Sequence, residues 1–577
     1  MIYILVYRFY YKRMSKANKI LESILGVEQF EKKPDGIRGI LQTKNYEDFT
    51  ILSDAGIKLI EFSGAKIANK CLPGDHVCWN GEKCMLELRD EYHPIVGTIQ
   101  LTHSSKFGLT SRGVPMYLFT PYNKCFPHFI VGCSEKDISS NKIGLIKFDK
   151  WDGTFPRGVL EQIIGTSGDY TSEKQALMWL SSPWKYPKGT YKPETTENYE
   201  RMKLTGYTFN IDPIGCKDID DVLTFEQLSQ DIWLITITIS DVARYVENGS
   251  IIDIYASLIG QTLYDSDGKI QRPMLPKEYS EERCSLLPGK KSHGVSLQFK
   301  WNGIEISDKV WIETEFVCDK SYSYEEFQES NSKYKPILCA LANYLAKDNL
   351  EDSHKWIEQC MVFYNKEVGK ILKDMSMGVL RTHSEPDIDK FEKYKNYESC
   401  GVDIKQLAIS SAEYCLADEP NTTHFGLNTD TYAHATSPIR RYADLINQRI
   451  LKIYISKSTE KYIVPISMHD LNYRVKLNRQ YEYGLSFLNA ISTGEKQFKG
   501  IILDLVIVKD DRMKVRIYIP MWKKTISVIY KMIDSNTILS RDESCIINVI
   551  EGNEVEIECT FNVNAFHWKD RVIVNIL

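Results

Sequence analysis

A chain of 577 residues is too long for one ordinary hydrophobic core, so roughly two to four domains are expected. Hydrophobic residues make up 43% and charged residues 26%, a balance that excludes a disordered chain. The net charge of −5 and the pI near 6.2 give no support of their own to nucleic-acid binding, although an acidic metal site could offset a local basic channel.

The opening "MIYILVYRFYYKRMSKANK" holds an apolar run, but arginine and lysines break it well short of a membrane span. No small-residue cleavage site follows, so a secretory signal is not expected. Met14 reads as a more ordinary start, which would make residues 1–13 an upstream extension. The fourteen cysteines are scattered. Cys71, Cys78 and Cys84 come closest together but lack paired zinc-site spacing. Cys339, Cys545 and Cys559 lie in apolar runs, where a reduced thiol acts as a small hydrophobe. A reducing compartment is expected: the cytoplasm, with the nucleus as alternative.

From about 36 to 190 the chain reads as short strands punctuated by Gly and Pro, such as "GIRGILQT", "IVGTIQLT" and "VPMYLFTP". This texture predicts two small OB-type barrels, 36–90 and 91–190, with a break near 88–94 and an N-terminal extension over 1–35. A polar loop over 181–200 then leads into a mixed region, 200–492. There a strand is predicted over 233–239 and helices over 335–348, 354–373 and 439–455. Beyond "STGEKQFKG" alternating strands return, and 497–577 is predicted to be a third OB-type barrel. In "KVRIYI" Lys514, Arg516 and Tyr518 should face solvent while Val515, Ile517 and Ile519 are buried. The expected fold is therefore multidomain: two N-terminal β-barrels, a large α+β domain and a C-terminal β-barrel. Barrels of this kind often bind single strands, though they also serve as spacers.

Two stretches carry the chemistry. "FNIDPIGCKDIDDVL" (209–223) crowds Asp212, Asp218, Asp220 and Asp221 between apolar flanks. Like charges this close raise one another's pKa unless a cation intervenes, and Mg²⁺ takes oxygen ligands while keeping waters for phosphates. Adjacent Asp220 and Asp221 should point to opposite sides of an extended segment, one to a first metal and the other to a second metal or a water. The alternative is an exposed turn of solvated charges. In "THFGLNTDTYAHATSPIRRYADLINQRIL" (423–451), Ser437 is expected to cap a helix, with Pro438, Arg440 and Arg441 in its first turn. Arginines there oppose the helix dipole, which points to a bound anion or to salt bridges such as one with Asp444.

Together, "DPIGCKDIDDVL" and "YAHATSPIRRYADLINQRIL" resemble the signatures of the ribonuclease II (RNB) family of exoribonucleases, with Val222 and Ala435 departing from the pattern. "ISDVARYV", "RPMLPKEYSEERCSLLPG", "SYSYEEFQ", "WIEQCMVFYNKEV" and "LRTHSEPD" follow in the family's order. Thr238, Gln359 and Cys318 also depart from frequent family residues, which bears on efficiency and substrate preference. The resemblance implies two cold-shock-type barrels, an RNB catalytic domain over 200–492 and an S1-type barrel, without the PIN endonuclease domain of some members. It implies processive, hydrolytic 3′-to-5′ degradation of single-stranded RNA to nucleoside 5′-monophosphates by a two-metal mechanism. Asp212, Asp218, Asp220 and Asp221 would hold Mg²⁺, with Mn²⁺ as the alternative ion. Asp220, Asp221 and Arg440 would act in catalysis. Tyr264, Arg440, Arg441, Glu358 and Asn365 would contact RNA, with helix packing as the alternative for the last two. Phe148, Trp151 and Phe155 are candidates for base stacking or for core packing. The resemblance further implies a monomer that engages no membrane, with a larger RNA-processing complex as a second partner. An inactive RNA-binding regulator and a DNA nuclease are the competing functions.

Overall fold

The computed structural model describes residues 36–577 apart from 54, 55, 90–92, 104–106, 196, 198, 493–495, 510, 523 and 542. The N-terminal extension 1–35, with its alternative start at Met14, lies outside the described residues, as does the centre of the break expected near 88–94.

The first unit is a five-stranded sheet ordered Lys58–Ser63, Asp48–Leu52, Ile37–Thr43, His76–Trp79, Cys84–Leu88. Leu41 pairs with Ile51 and Thr43 with Phe49. The two-residue period therefore sends Leu41, Phe49 and Ile51 to one side, where they form a core with Val77, Cys71 and Cys84. The next five strands, Ile95–Ile99, Met116–Pro121, Phe129–Gly132, Lys142–Lys150 and Arg157–Thr166, form a closed barrel. A side chain at Gly97 would come within 2.3 Å of the Thr120 carbonyl oxygen, so this crowded position requires glycine. Phe148 and Trp151 are half-buried beside the barrel core, with the Arg89 guanidinium 4.5 Å from the Phe148 ring centre. Phe155 sits edge-on to Phe107, their centres 6.0 Å apart. All three stacking candidates thus already have packing partners. The helix Tyr170–Ser181 follows, its first turn capped by Asp169.

The central domain is built on a seven-stranded sheet ordered Met202–Lys203, Ile306–Val317, Lys291–Trp301, Trp233–Ser240, Asp221–Gln227, Tyr207–Ile211, Lys320–Tyr322. Its two edge strands pair in parallel and the inner pairs are antiparallel. Phe209, Leu223, Ile235, Ile237, Val295 and Leu297 from the sheet share one large core with the helices Lys335–Ala346, Ser353–Met375 and Tyr442–Ile455. The C-terminal unit is a second seven-stranded sheet, from Gln497–Lys509 to Val572–Ile576, around Ile502, Val515, Ile517 and Ile557. Among the described residues its ladder does not close.

One expected pattern fails there. Tyr518 is buried rather than solvated, because Tyr394, Val402 and Ile404 of the central domain cover the outer face of its strand. Arg516 on the same face pairs with Asp504, whose carboxylate also accepts from the Tyr394 hydroxyl at 2.7 Å. Elsewhere, fully buried Arg571 ties the C-terminal sheet to the barrel. Its guanidinium meets Glu173 and donates to Thr98 Oγ1 at 2.8 Å and Ser167 Oγ at 2.9 Å. Among the described residues no cysteine is joined in a disulfide. No helix among the described residues is long and apolar enough to cross a membrane.

Candidate active site

The aspartates sit where two neighbouring central strands are joined. Tyr207–Ile211 runs into Asp212, and Asp221 opens the antiparallel strand Asp221–Gln227. The connection turns at Gly215, whose φ of +80° is a conformation that other residues adopt only with strain. Its far end is laced to the domain through the backbone. The Ser240 N–H donates to the Asp220 carbonyl at 2.8 Å, and the Leu286 N–H to that of Ile219 at 3.0 Å. Apolar flanks therefore drag the acids inward, leaving Asp218 at 8% and Asp220 at 3% exposure. Asp212 and Asp221 are half-buried.

Two groups from the 437–441 turn meet Asp220. The Ile439 N–H donates to its Oδ1 at 3.0 Å and the Arg440 Nε to its Oδ2 at 3.2 Å. The turn is not the first turn of a helix, as the Ser-Pro pair predicts. The helix is Tyr442–Ile455, and Arg441 occupies its cap position without a side-chain capping bond. The physical reason lies in pairing: the Thr262 N–H donates to the Arg440 carbonyl at 3.0 Å and the Tyr442 N–H to that of Gly260 at 2.9 Å. These bonds draw 440–442 into an extended path and delay the helix. Asp444 Oδ1, fully buried, accepts from the Ser437 N–H and from Arg441 Nη2, each at 2.8 Å. Arg441 is thus held in a local ion pair, the salt-bridge alternative read from the sequence.

The remaining candidates divide. The Tyr264 hydroxyl donates to Asp218 Oδ2 at 2.5 Å, placing the phenol against the carboxylates. Asn365 is 3% exposed; its side chain accepts from the Ala435 N–H at 2.8 Å and donates to the Tyr432 hydroxyl at 3.0 Å. These bonds shape the 432–436 segment, which favours the helix-packing alternative for Asn365. Glu358 is exposed on the helix Ser353–Met375 and pairs with Lys355 at 2.6 Å. The sequence reading missed Tyr324, whose phenol is raised by burial, with Asp221 and Asp212 adding to the rise and Arg440 opposing it. "SYSYEEFQ" was the available signal, but nothing in its spacing singled out this tyrosine.

Electrostatics follow from that placement. Burial pushes the Asp212 carboxyl up to about 6, with Arg440 opposing and Asp218 adding to the rise. Burial likewise pushes Asp220 up to about 7, against the pull of Arg440 and the Ile439 N–H. Asp221 is raised well above the usual carboxylate range by burial and by Asp212 and Asp220. Burial and then Asp218 raise the Tyr264 phenol. One arginine does not balance four acids. Asp212 Oδ2 is moreover buried without a hydrogen-bond partner, the condition a hard cation relieves.

A different acidic group is more compact. Glu197, Asp241 and Glu313 bring oxygens within 4.8 Å of one another, which no three of the four aspartates do. Cations already satisfy that group: Arg201 Nη2 lies 2.6 Å from Asp241 and 2.7 Å from Glu313, and Lys452 Nζ lies 3.0 Å from Asp241. It is an ion-pair knot whose charge the chain itself neutralises.

Comparison with known proteins finds similarity across the region that holds this geometry. The RNB domain matches residues 201–333 and 325–457, which include all four aspartates and Arg440. The probable exosome complex exonuclease RRP44 of Caenorhabditis elegans is 25% identical over 454 residues, 62% of this chain and 47% of that protein. Ribonuclease R of Thermotoga maritima is 25% identical over 321 residues, 43% of this chain and 45% of that protein. The chain thus spans about half the length of both relatives. Among solved structures, Mycoplasma genitalium RNase R in complex with ribose methylated single-stranded RNA aligns with a TM-score of 0.65 at 18% identity, over 94% of this chain and 100% of that one. Yeast Ssd1, a pseudonuclease, aligns with a TM-score of 0.60 at 17% identity, over 88% and 83%. These structures share the multidomain fold, and the central domain that carries the aspartates and Arg440 is similar to the RNB domain.

Proposed function

We propose that the protein is a processive 3′-to-5′ exoribonuclease that hydrolyses single-stranded RNA to nucleoside 5′-monophosphates. The observation that carries this reading is the meeting of Asp220 with the Ile439 N–H and Arg440, inside a cluster of four acids too buried for their own charge. Asp212, Asp218, Asp220 and Asp221 would hold two Mg²⁺ ions, which supply a water nucleophile at neutral pH and offset charge on the attacking and leaving oxygens. The chain's own groups do the rest. Arg440 spends Nε on Asp220, while its side chain stays 42% exposed, leaving the terminal nitrogens for the scissile phosphate. Tyr264 and Tyr324 offer aromatic surface to the last nucleotides. The two N-terminal units and the C-terminal sheet are assigned as cold-shock-type and S1-type barrels that grip RNA beyond the site. We assign the protein to the cytoplasm.

A second reading, an RNA-binding scaffold without activity, is favoured by the fold shared with Ssd1, a pseudonuclease. A time course on 5′-labelled single-stranded RNA with Mg²⁺, comparing wild type with Asp220→Asn, separates the two. The proposal expects the wild type to convert RNA directly to a short limit product while the variant binds and does not cut. If both bind and neither shortens RNA with any divalent ion, the scaffold reading replaces it. A matched DNA strand tests whether the substrate is RNA.

A further inference from the structure

We infer that His354 is a positioning residue of this site, stacked behind Tyr324 to hold that ring where it meets the 3′-terminal nucleotide; the inference rests on the exoribonuclease reading above. The arrangement begins with a helix cap. Asp352 caps Ser353–Met375 by accepting the His354 N–H at 2.9 Å, and the same Oδ1 lies 2.9 Å from His354 Nδ1. The ring bond to this carboxylate fixes the orientation of the imidazole. That ring lies against Tyr324 with centres 3.8 Å apart and planes 11° from parallel.

The backbone of Tyr324 is fastened to the same helix start. Ser353 Oγ donates to the Tyr324 carbonyl at 3.0 Å, and the Ser353 N–H donates to Gln328 Oε1 at 2.8 Å. On its other flank, the Tyr322 carbonyl accepts the Asp212 N–H at 3.1 Å, tying this segment to the first aspartate. Contacts therefore run from Asp352 through His354 to Tyr324, and the strand just before Tyr324 is bonded to the backbone of Asp212. Core packing does not account for the imidazole, because the His354 side chain is 54% exposed. What the stack accomplishes is to restrict a half-buried tyrosine at the edge of the site. Glu358, one turn further along the helix, continues the same exposed border.

The test is a double-mutant cycle over His354→Ala and Tyr324→Ala, with His354→Phe as the conservative variant. Two quantities are read: affinity for a single-stranded RNA with a free 3′ end in EDTA, and its rate of shortening with Mg²⁺. Loss of one aromatic stack should weaken wild-type affinity and rate by roughly three- to tenfold. In the Tyr324→Ala background the same change should cost less than about twofold, and His354→Phe should restore most of the loss. Equal losses in both backgrounds, or none in the wild-type background, would overturn the inference while leaving the nuclease reading intact. If the wild type binds RNA but shortens none, the nuclease reading falls, and the affinity cycle in EDTA still decides the role of His354.

Discussion

Asp220 concentrates the opposing forces of this site. Its strand neighbours bury it, one N–H and one guanidinium hold its charge, and Asp218 and Asp444 press on it from nearby. Arg440 is the complementary group, and its geometry predicts how it works. A donor fixed where charge develops is worth on the order of 2.7–4 kcal/mol in the transition state. Arg440→Ala is therefore expected to lower kcat by roughly a hundredfold to a thousandfold while changing RNA affinity by less than about tenfold. Single-turnover rates set beside equilibrium binding check this, and a loss confined to affinity would contradict it. The acids were legible in the sequence because four like charges between apolar flanks are costly to bury unless a cation binds them. Their partners were legible only in part. Tyr264 could be read as an aromatic near the substrate but not as a donor to Asp218, and Arg441 was indistinguishable from Arg440 until Asp444 claimed it.

At the level of elements, the long helices and the inner strands follow their hydrophobic period, and the expected 354–373 helix is Ser353–Met375. The start of the next helix shows where period fails. Ser437 and Pro438 have the chemistry of a cap, yet pairing of 440–442 with 260–262 moves the start to Tyr442. The joints between units rest on buried charge, which local patterns do not foretell. Burial raises the Glu173 carboxyl, with Arg571 opposing. Arg571→Met should therefore strand Glu173 and destabilise the docked C-terminal sheet by about 3–5 kcal/mol. Adding Glu173→Gln should recover much of that loss. Urea unfolding of the two variants tests this, and a double variant as unstable as the single one would refute it.

For the whole molecule, the knot around Asp241 joins the segment before the central sheet to the helix Tyr442–Ile455 through Arg201, Glu197 and Lys452. Burial pushes the Asp241 carboxyl up, but Lys452 and Arg201 outweigh it and hold it below the usual range. A carboxylate depressed in the folded state stabilises above its unfolded pKa of about 3.9, and that contribution is lost as pH falls through the folded value. The stability gap between wild type and Asp241→Asn should thus be constant above about pH 5 and shrink below about pH 4. Chemical denaturation at stepped pH measures the gap, and one that widened in acid would contradict the assignment.

Sequence alone determined the order of the strand-rich and mixed regions, the four acids and the family resemblance, because these are properties of local spacing and residue type. It could not decide that Tyr518 is covered, that Asn365 is bonded to the 432–436 segment, that the compact acid triad is neutralised, or that Tyr324 has His354 stacked against it. Each of those depends on residues far apart in the chain meeting in space, where burial and charge pairing select one arrangement from several that the local pattern allows.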